Sequence, residues 1–337
     1  PDPMRICSRC VLPETFPGIT FGRGGVCNFC RESDRRESRP GRDDHFGEKL
    51  GRLIRETKGR GAYDALMSYS GGKDSTYVLS MVRRVFGLRV LALTFDNGFI
   101  PDVTLANIRN VVDRLGVDHL LFRPRFDILR RVFLACAAGD IFPRTALARA
   151  SSICTACMAI VKFTGLRLAL EKDIPLVFFG WSPGQIPLSS SIIKLNSMIV
   201  RPMQEVVLGP LERAVGQEIR ELFLDKSQLG EGSSFPYIIS PLAFLEYDEK
   251  RIFGHARRLG WKIPPGVDAN STNCTLNSFA IAVHQDRLKF HPYAPELAKL
   301  VRTGRLSRSE ALARLTRPVD VSTIDGVKKR LGIDVSS

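Results

Sequence analysis

The chain has 337 residues, 44% hydrophobic and 25% charged, with a formal charge of +14 at pH 7. That balance excludes collagen-like, fibrous and disordered chains, and the length is too great for one small module and short for three full domains. No apolar run reaches the roughly 18–20 residues of a membrane span, and nothing at the start reads as a signal peptide. A cytoplasmic protein without membrane attachment is therefore expected. Pro1-Asp2-Pro3 ahead of Met4 reads as a cloning remnant. The charge comes mostly from arginine, 36 against 13 lysines. Such a surface concentrates polyanions such as tRNA, nucleotides or acidic sugars, although coding bias toward arginine gives the same count.

In chain order, residues 4–35 form a Gly/Pro-rich first module with two CxxC pairs. Residues 36–62 carry alternating charge, including Arg36, Glu37, Asp43, Asp44, Glu48 and Lys49. They read as a solvated connector that ends in a helix. From Tyr63 the pattern changes to short apolar runs alternating with amphipathic segments. Strands are expected at 65–69, 89–95, 119–122 and 175–180, with helices at 74–86, 105–115 and 158–171. This alternation over 63–204 predicts an α/β unit, a parallel sheet with helices on both faces. Residues 205–337 read as mainly helical, with helices at 205–224, 248–259 and 277–284. Ser307-Arg308-Ser309-Glu310 is a capping box that opens a last helix through Leu315.

The most informative segment is Ser70-Gly71-Gly72-Lys73-Asp74-Ser75, which follows a predicted strand and opens a predicted helix. A Gly-rich turn there presents amides and the positive end of a helix to an anion. Lys73 supplies a point charge for phosphate, Ser70 and Ser75 supply hydroxyls, and Asp74 is a candidate Mg²⁺ ligand. The Walker A pattern is absent, because Met67 stands where its first Gly belongs and Asp74 where its Ser or Thr belongs. Asp96, in Phe95-Asp96-Asn97-Gly98 at the end of the next strand, is a second candidate for Mg²⁺, ribose or substrate. An Asp-Asn-Gly turn explains its composition equally. Gly180, opening Gly180-Trp181-Ser182-Pro183-Gly184-Gln185, sits at the carboxyl edge of a strand, where open α/β sheets bind ligands. A plain loop is the alternative.

The cysteines divide into two groups. Cys7, Cys10, Cys27 and Cys30 form two CxxC pairs separated by 16 residues, the spacing of a closed, structural Zn²⁺ site. A zinc ribbon is expected, with free thiols or a cluster as alternatives. Cys154 and Cys157 precede a helix, and Cys274 is their most plausible third partner, with Cys136 the rival. Three thiolates with one open position suit a [4Fe–4S] cluster or a zinc with an open site. A redox-active pair and an inert pair also fit the sequence.

The hexamer Ser70–Ser75 resembles the PP-loop (SGGxDS) of ATP pyrophosphatases, whose HUP-like α/β domain cleaves ATP between the α and β phosphates. That resemblance implies ATP and Mg²⁺ as cofactors, adenylation of a substrate oxygen, and displacement of AMP by a nitrogen or sulfur nucleophile. Two families are similar over more of the chain. N-acetyl sugar amidotransferases resemble it from the N-terminal CxxC pairs through Phe95-Asp-Asn-Gly, Ile153-Cys-Thr-Ala-Cys and Asn273-Cys-Thr-Leu-Asn to Gly304-Arg-Leu-Ser-Arg-Ser-Glu-Ala-Leu. The [4Fe–4S] tRNA thiolation enzymes share the loop followed by CxxC and a distant cysteine. The first resemblance implies a small-molecule N-acetyl sugar substrate and a separate glutaminase subunit, since no Cys–His glutaminase region is evident. The second implies a tRNA or small-molecule substrate and a sulfur donor. In both, Lys73, Asp74, Cys154, Cys157 and Cys274 are the candidate catalytic residues. A nucleotide- or RNA-binding module without turnover is the third reading, and a homodimer stays open.

Overall fold

The computed structural model describes residues 4–37, 43–230, 232–268 and 270–334. Pro1–Pro3, residues 38–42 and the side chains of 34–37 and 43–44 lie outside the described residues, and with them most of the connector's charge run.

Two helices, α1 (Asn28–Glu37) and α2 (Asp43–Thr57), lead into β1 (Ala65–Ser68), α3 (Lys73–Ser80), β2 (Val90–Phe95), α4 (Asp102–Leu115), β3 (Asp118–Phe122) and α5 (Phe126–Ala138). Then follow α6 (Arg144–Leu147), α7 (Ser152–Glu171), β4 (Leu176–Phe179), β5 (Ile192–Lys194), α8 (Ser197–Val215) and β6 (Tyr237–Ile239). The chain closes with α9 (Glu249–Arg258), α10 (Leu276–Leu288), α11 (Ala294–Arg302), α12 (Arg308–Leu315) and α13 (Val321–Leu331). The sheet order is β3-β2-β1-β4-β6-β5, parallel throughout except for the β5–β6 pair.

Strand alternation divides the sheet into two apolar faces. Leu66, Leu91, Leu93, Val177 and Phe179 join α5, α7, α8 and α10 on one side. Ala65, Met67, Val90, Ala92, Leu176 and Phe178 join α2, α3, α4 and α9 on the other. The expected α/β class, a parallel sheet covered on both faces, is what the chain forms. A third cluster packs the first module against the C-terminus. Leu12, Phe16 and the four early cysteines share a core with Leu297, Ala298, Leu300 and Ala311 of α11 and α12.

Several elements differ from the sequence expectations. The helix-rich stretch after 205 contributes β6, a sheet strand beside β4. Three residues are too few to show a period of two. The expected break at 204/205 falls inside α8, which starts at Ser197 and stops at Gly216, where φ is 91°. α7 begins at Ser152, so Cys154 and Cys157 lie in its first turns rather than before it. Ser151 caps that helix by accepting the Cys154 amide at 3.1 Å. α7 is also long and apolar enough, at a mean hydropathy of 1.6, to match a membrane span by length and composition. Here Ile153, Ala156, Ile160, Phe163 and Leu166 are buried in the core, as expected of a helix that is apolar on all sides.

Candidate functional site

The chain leaves β1 into the Ser70–Gly72 turn, and Lys73 opens α3. Gly71 is required twice over. Its φ is 76°, and a Cβ there would lie 2.7–2.9 Å from Ile108 and Thr104 of α4. Trp261 Nε1 donates to Gly71 O at 2.9 Å, fixing the turn from the C-terminal half. Ser70 and Ser75 face each other, Oγ to Oγ at 3.0 Å, and Ser75 Oγ also donates to Gly72 O at 3.0 Å. The Lys73 amide donates to Thr272 Oγ1 at 3.4 Å.

Lys73 is held in a cage of acid and aromatic groups. Its Nζ donates to Asp74 Oδ2 at 2.7 Å and Tyr247 OH at 3.4 Å, and pairs with Glu249 Oε1 at 3.2 Å. The Phe253 ring centroid lies 5.6 Å away. Burial works against its charge, but Asp74, Tyr247 and Glu249 outweigh that and hold the ammonium above its ordinary range. Glu249 meets a second cation, Arg314 of α12. Burial favours the neutral acid there, yet Arg314 and Lys73 together keep the carboxyl below the usual range.

Asp96 is nearly buried and engaged. Its Oδ2 meets Arg123 Nε at 2.6 Å and Nη2 at 2.5 Å, while Oδ1 accepts the Gly98 amide at 2.8 Å. Gly180 does not face open space. A Cβ on it would lie 2.6 Å from both Ser75 N and Cα, so the residue lets the end of β4 close on the Ser70–Ser75 turn.

The loop that Gly180 opens carries Ser182, whose Oγ donates to Glu296 Oε1 at 2.6 Å. Glu296 comes from the first turn of α11, 114 positions along the chain. Burial pushes its carboxyl up to about 7, with Asp74 adding repulsion while Ser182, Lys73 and Gln185 act the other way. A carboxyl poised near neutrality beside the loop can give or take a proton.

The structure brings Cys154, Cys157 and Cys274 to one place. Asn97 Nδ2 donates to Cys274 Sγ at 3.3 Å and to Cys157 Sγ at 3.6 Å, oriented by the Phe99 amide on its Oδ1 at 2.9 Å. Cys154 Sγ donates to Asn277 Oδ1 at 3.6 Å, and Tyr293 OH donates to the same oxygen at 3.1 Å. Burial raises all three thiols, Cys154 to about 11. Asn277 Nδ2 is a buried donor with no partner beside them. Among the described residues only Cys7, Cys10, Cys27 and Cys30 place their ligand atoms within 4.8 Å of one another. The sulfurs of the later trio are therefore not all within that distance of one another. Cys136, on α5, is fully buried, and burial pushes its thiol up to about 12. It reads as a core residue next to the trio.

The early cysteines fit a single ion. Cys7 and Cys30 Sγ are 3.9 Å apart, and Cys10 and Cys27 Sγ are 3.8 Å apart. A tetrahedron with metal–sulfur bonds of about 2.3 Å has an edge of about 3.8 Å. Burial alone would raise the Cys7 thiol, but the amides of Cys10, Cys27 and Arg9 lower it to about 6.

Sequence reasoning named the loop and the cysteines but missed Asn97, Tyr247, Glu249, Thr272, Asn277, Tyr293 and Glu296 as site residues. Of these, Asn97 and Asn277 fall inside motifs already quoted, which is the one available signal.

No family model matches the chain. A relative described only as an uncharacterised protein of Methanocaldococcus jannaschii is 23% identical over 275 residues, covering 82% of this chain and 80% of the relative. Among solved structures, the chain is similar to the U34-tRNA thiolase NcsA from Methanococcus maripaludis with its [4Fe-4S] cluster, at 15% identity and a TM-score of 0.39. That match covers 99% of this chain and 91% of the other. NMN synthetase from Francisella tularensis matches at 11% and 0.35, covering 88% and 99% of the two chains. NAD+ synthetase from Burkholderia pseudomallei matches at 15% and 0.33, covering 90% and 87%. At these scores the reading of the site rests on its own residues.

Proposed function

We propose that the chain is an ATP-dependent enzyme of the PP-loop type that adenylates a substrate oxygen, releases pyrophosphate, and exchanges AMP for an incoming nucleophile. The observation that carries this is the Ser70–Ser75 turn at the carboxyl end of β1, with Lys73 at the start of α3 and a proton-exchanging carboxyl, Glu296, close by. The substrate oxygen attacks the α-phosphorus and pyrophosphate leaves; the nucleophile then attacks the activated carbon and AMP leaves with the bond electrons. Lys73 and the Gly71–Gly72 backbone hold phosphate, and Asp74 is the carboxylate that would hold Mg²⁺. Asp96, tied to Arg123, acts from one step back. Glu296 accepts the proton that the nucleophile sheds.

For the nucleophile, the geometry favours sulfur. Cys154, Cys157 and Cys274 converge on the Asn97 and Asn277 carboxamides next to the loop, a donor set suited to a [4Fe–4S] cluster with one open iron, which would supply a site for an external sulfur ligand. Nitrogen is the second reading, favoured by the sequence likeness to N-acetyl sugar amidotransferases through Gly304–Leu312. It requires ammonia from a separate glutaminase subunit, whereas the sulfur reading requires a sulfur donor and a tRNA or small-molecule acceptor. Zn²⁺ at Cys7, Cys10, Cys27 and Cys30 is structural in both.

The test has two parts. Lys73→Ala should abolish substrate-dependent pyrophosphate release while the circular dichroism spectrum stays unchanged; undiminished release overturns the mechanism. Iron, acid-labile sulfide and zinc should then be counted on anaerobically purified protein. About four irons with matching sulfide and one zinc support sulfur transfer, and zinc alone after reconstitution supports nitrogen.

A further inference from the structure

The helix α12 touches the four-cysteine module directly and reaches Lys73 through Glu249 of α9. At its start, Arg308 Nε donates to Cys10 O at 2.9 Å and its Nη2 to Cys7 O at 3.0 Å, so one guanidinium grips the carbonyls of the first cysteine knuckle. Six residues on, about 9 Å along the axis, Arg314 forks onto Glu249, with Nη1 3.3 Å from Oε1 and Nη2 on Oε2. Glu249 in turn pairs with Lys73 Nζ at 3.2 Å. Ala311, between the two arginines, is buried against the first module and α11. Each link is a charged hydrogen bond or an ion pair between at least half-buried groups, the kind whose geometry is held rather than averaged.

We infer that Arg314 is a positioning residue for Lys73, acting through Glu249, and that α12 couples metal occupancy at Cys7/Cys10/Cys27/Cys30 to nucleotide binding at the loop. This rests on the nucleotide and zinc assignments made above. The electrostatics give the coupling a sign. With Arg314 present, Glu249 is shared between two cations and pulls less strongly on Lys73, which Asp74 and Tyr247 also hold. Without it, an uncompensated carboxylate holds Lys73 and adds negative potential where an anion must bind. Release of the knuckle frees Arg308 and the start of α12, and the Arg314 fork loses its anchor.

The experiment uses the full chain and a non-hydrolysable ATP analogue, read by calorimetry. Arg314→Met should weaken analogue binding on the order of tenfold. Adding Glu249→Gln should restore much of it by removing the stranded charge, and Arg314→Lys should fall in between. A merely structural Arg314 would leave the double variant no better than the single, which overturns the inference. Linkage is reciprocal, so saturating analogue should slow zinc loss to a chromogenic chelator in the wild type but not in Arg308→Met. Zinc release that ignores the analogue in the wild type, or responds equally in Arg308→Met, overturns the coupling while the functional reading stands. A wild type that binds neither analogue nor zinc overturns the functional reading, and the coupling with it.

Discussion

Glu296→Gln tests whether the carboxyl on α11 is held near neutrality by its surroundings. The folded protein moves this group from an ordinary 4.5 to about 7. Between those values the native state keeps a proton that the unfolded chain has released, so stability is lost as pH rises through the window. The full shift of about 2.5 units corresponds to roughly 3 kcal/mol, of which roughly 2 kcal/mol falls between pH 5.5 and 8. Burial depresses His284 and His291 from 6.5 to about 4, and these act in the opposite direction, adding stability as pH rises from about 4 to 6.5. The wild-type profile is therefore a sum, and the variant isolates one contribution. Gln keeps the volume and still accepts from Ser182 Oγ, while losing the titration. Urea unfolding of both proteins in matched buffers gives the difference, wild type minus Glu296→Gln. It should decline by roughly 2 kcal/mol from pH 5.5 to 8. A difference flat within about 0.5 kcal/mol would show that the carboxyl titrates as an ordinary surface acid, and Glu296 would no longer qualify as the proton acceptor.

Three further outcomes follow from contacts in the same region. Gly180→Ala puts a Cβ 2.6 Å from Ser75 backbone atoms, which cannot rotate away. It should cost about 1–3 kcal/mol in urea unfolding and weaken analogue binding; wild-type values for both would mean that β4 does not abut the loop. Trp261→Phe leaves Gly71 O without its donor in a buried site. A loss of about 1–3 kcal/mol is expected, and an unmoved urea midpoint contradicts it. Asn97→Leu removes both donors to the Cys157 and Cys274 sulfurs. Iron affinity after anaerobic reconstitution should drop about 10–100-fold without loss of zinc, and equal iron retention would deny Asn97 any part in holding the group.

What could be read from sequence was local. A strand, two glycines and a helix start are contiguous, so the loop at Ser70–Ser75 and the sheet around it follow from pattern alone. The short strand β6 and the joint core of the first module with α11 and α12 have no contiguous signature. Asp96 draws notice because it is a carboxylate, yet Arg123 occupies it, and the neighbouring Asn97 makes the contact with sulfur. Glu296 looks like an ordinary acidic residue in the first turn of a helix, where the macrodipole welcomes it. Only the fold reveals that this turn is pressed against Ser182 and faces Asp74.

The C-terminal part is thus best understood as half of the site rather than an appendage. It supplies Tyr247 and Glu249 to Lys73, Thr272 to the Lys73 amide, Trp261 to Gly71, Cys274 to the thiol group, and Glu296 to the Ser182 loop. A Gly-rich turn on a parallel sheet binds phosphate on its own physics, but it neither chooses a nucleophile nor moves its proton. In the proposed reaction those two tasks fall to the Cys154/Cys157/Cys274 group and to Glu296, and the first module, packed on α11 and α12, braces the helix that carries Glu296. Loss of the early cysteines should therefore reach the chemistry through α12 and α11 before it reaches the sheet.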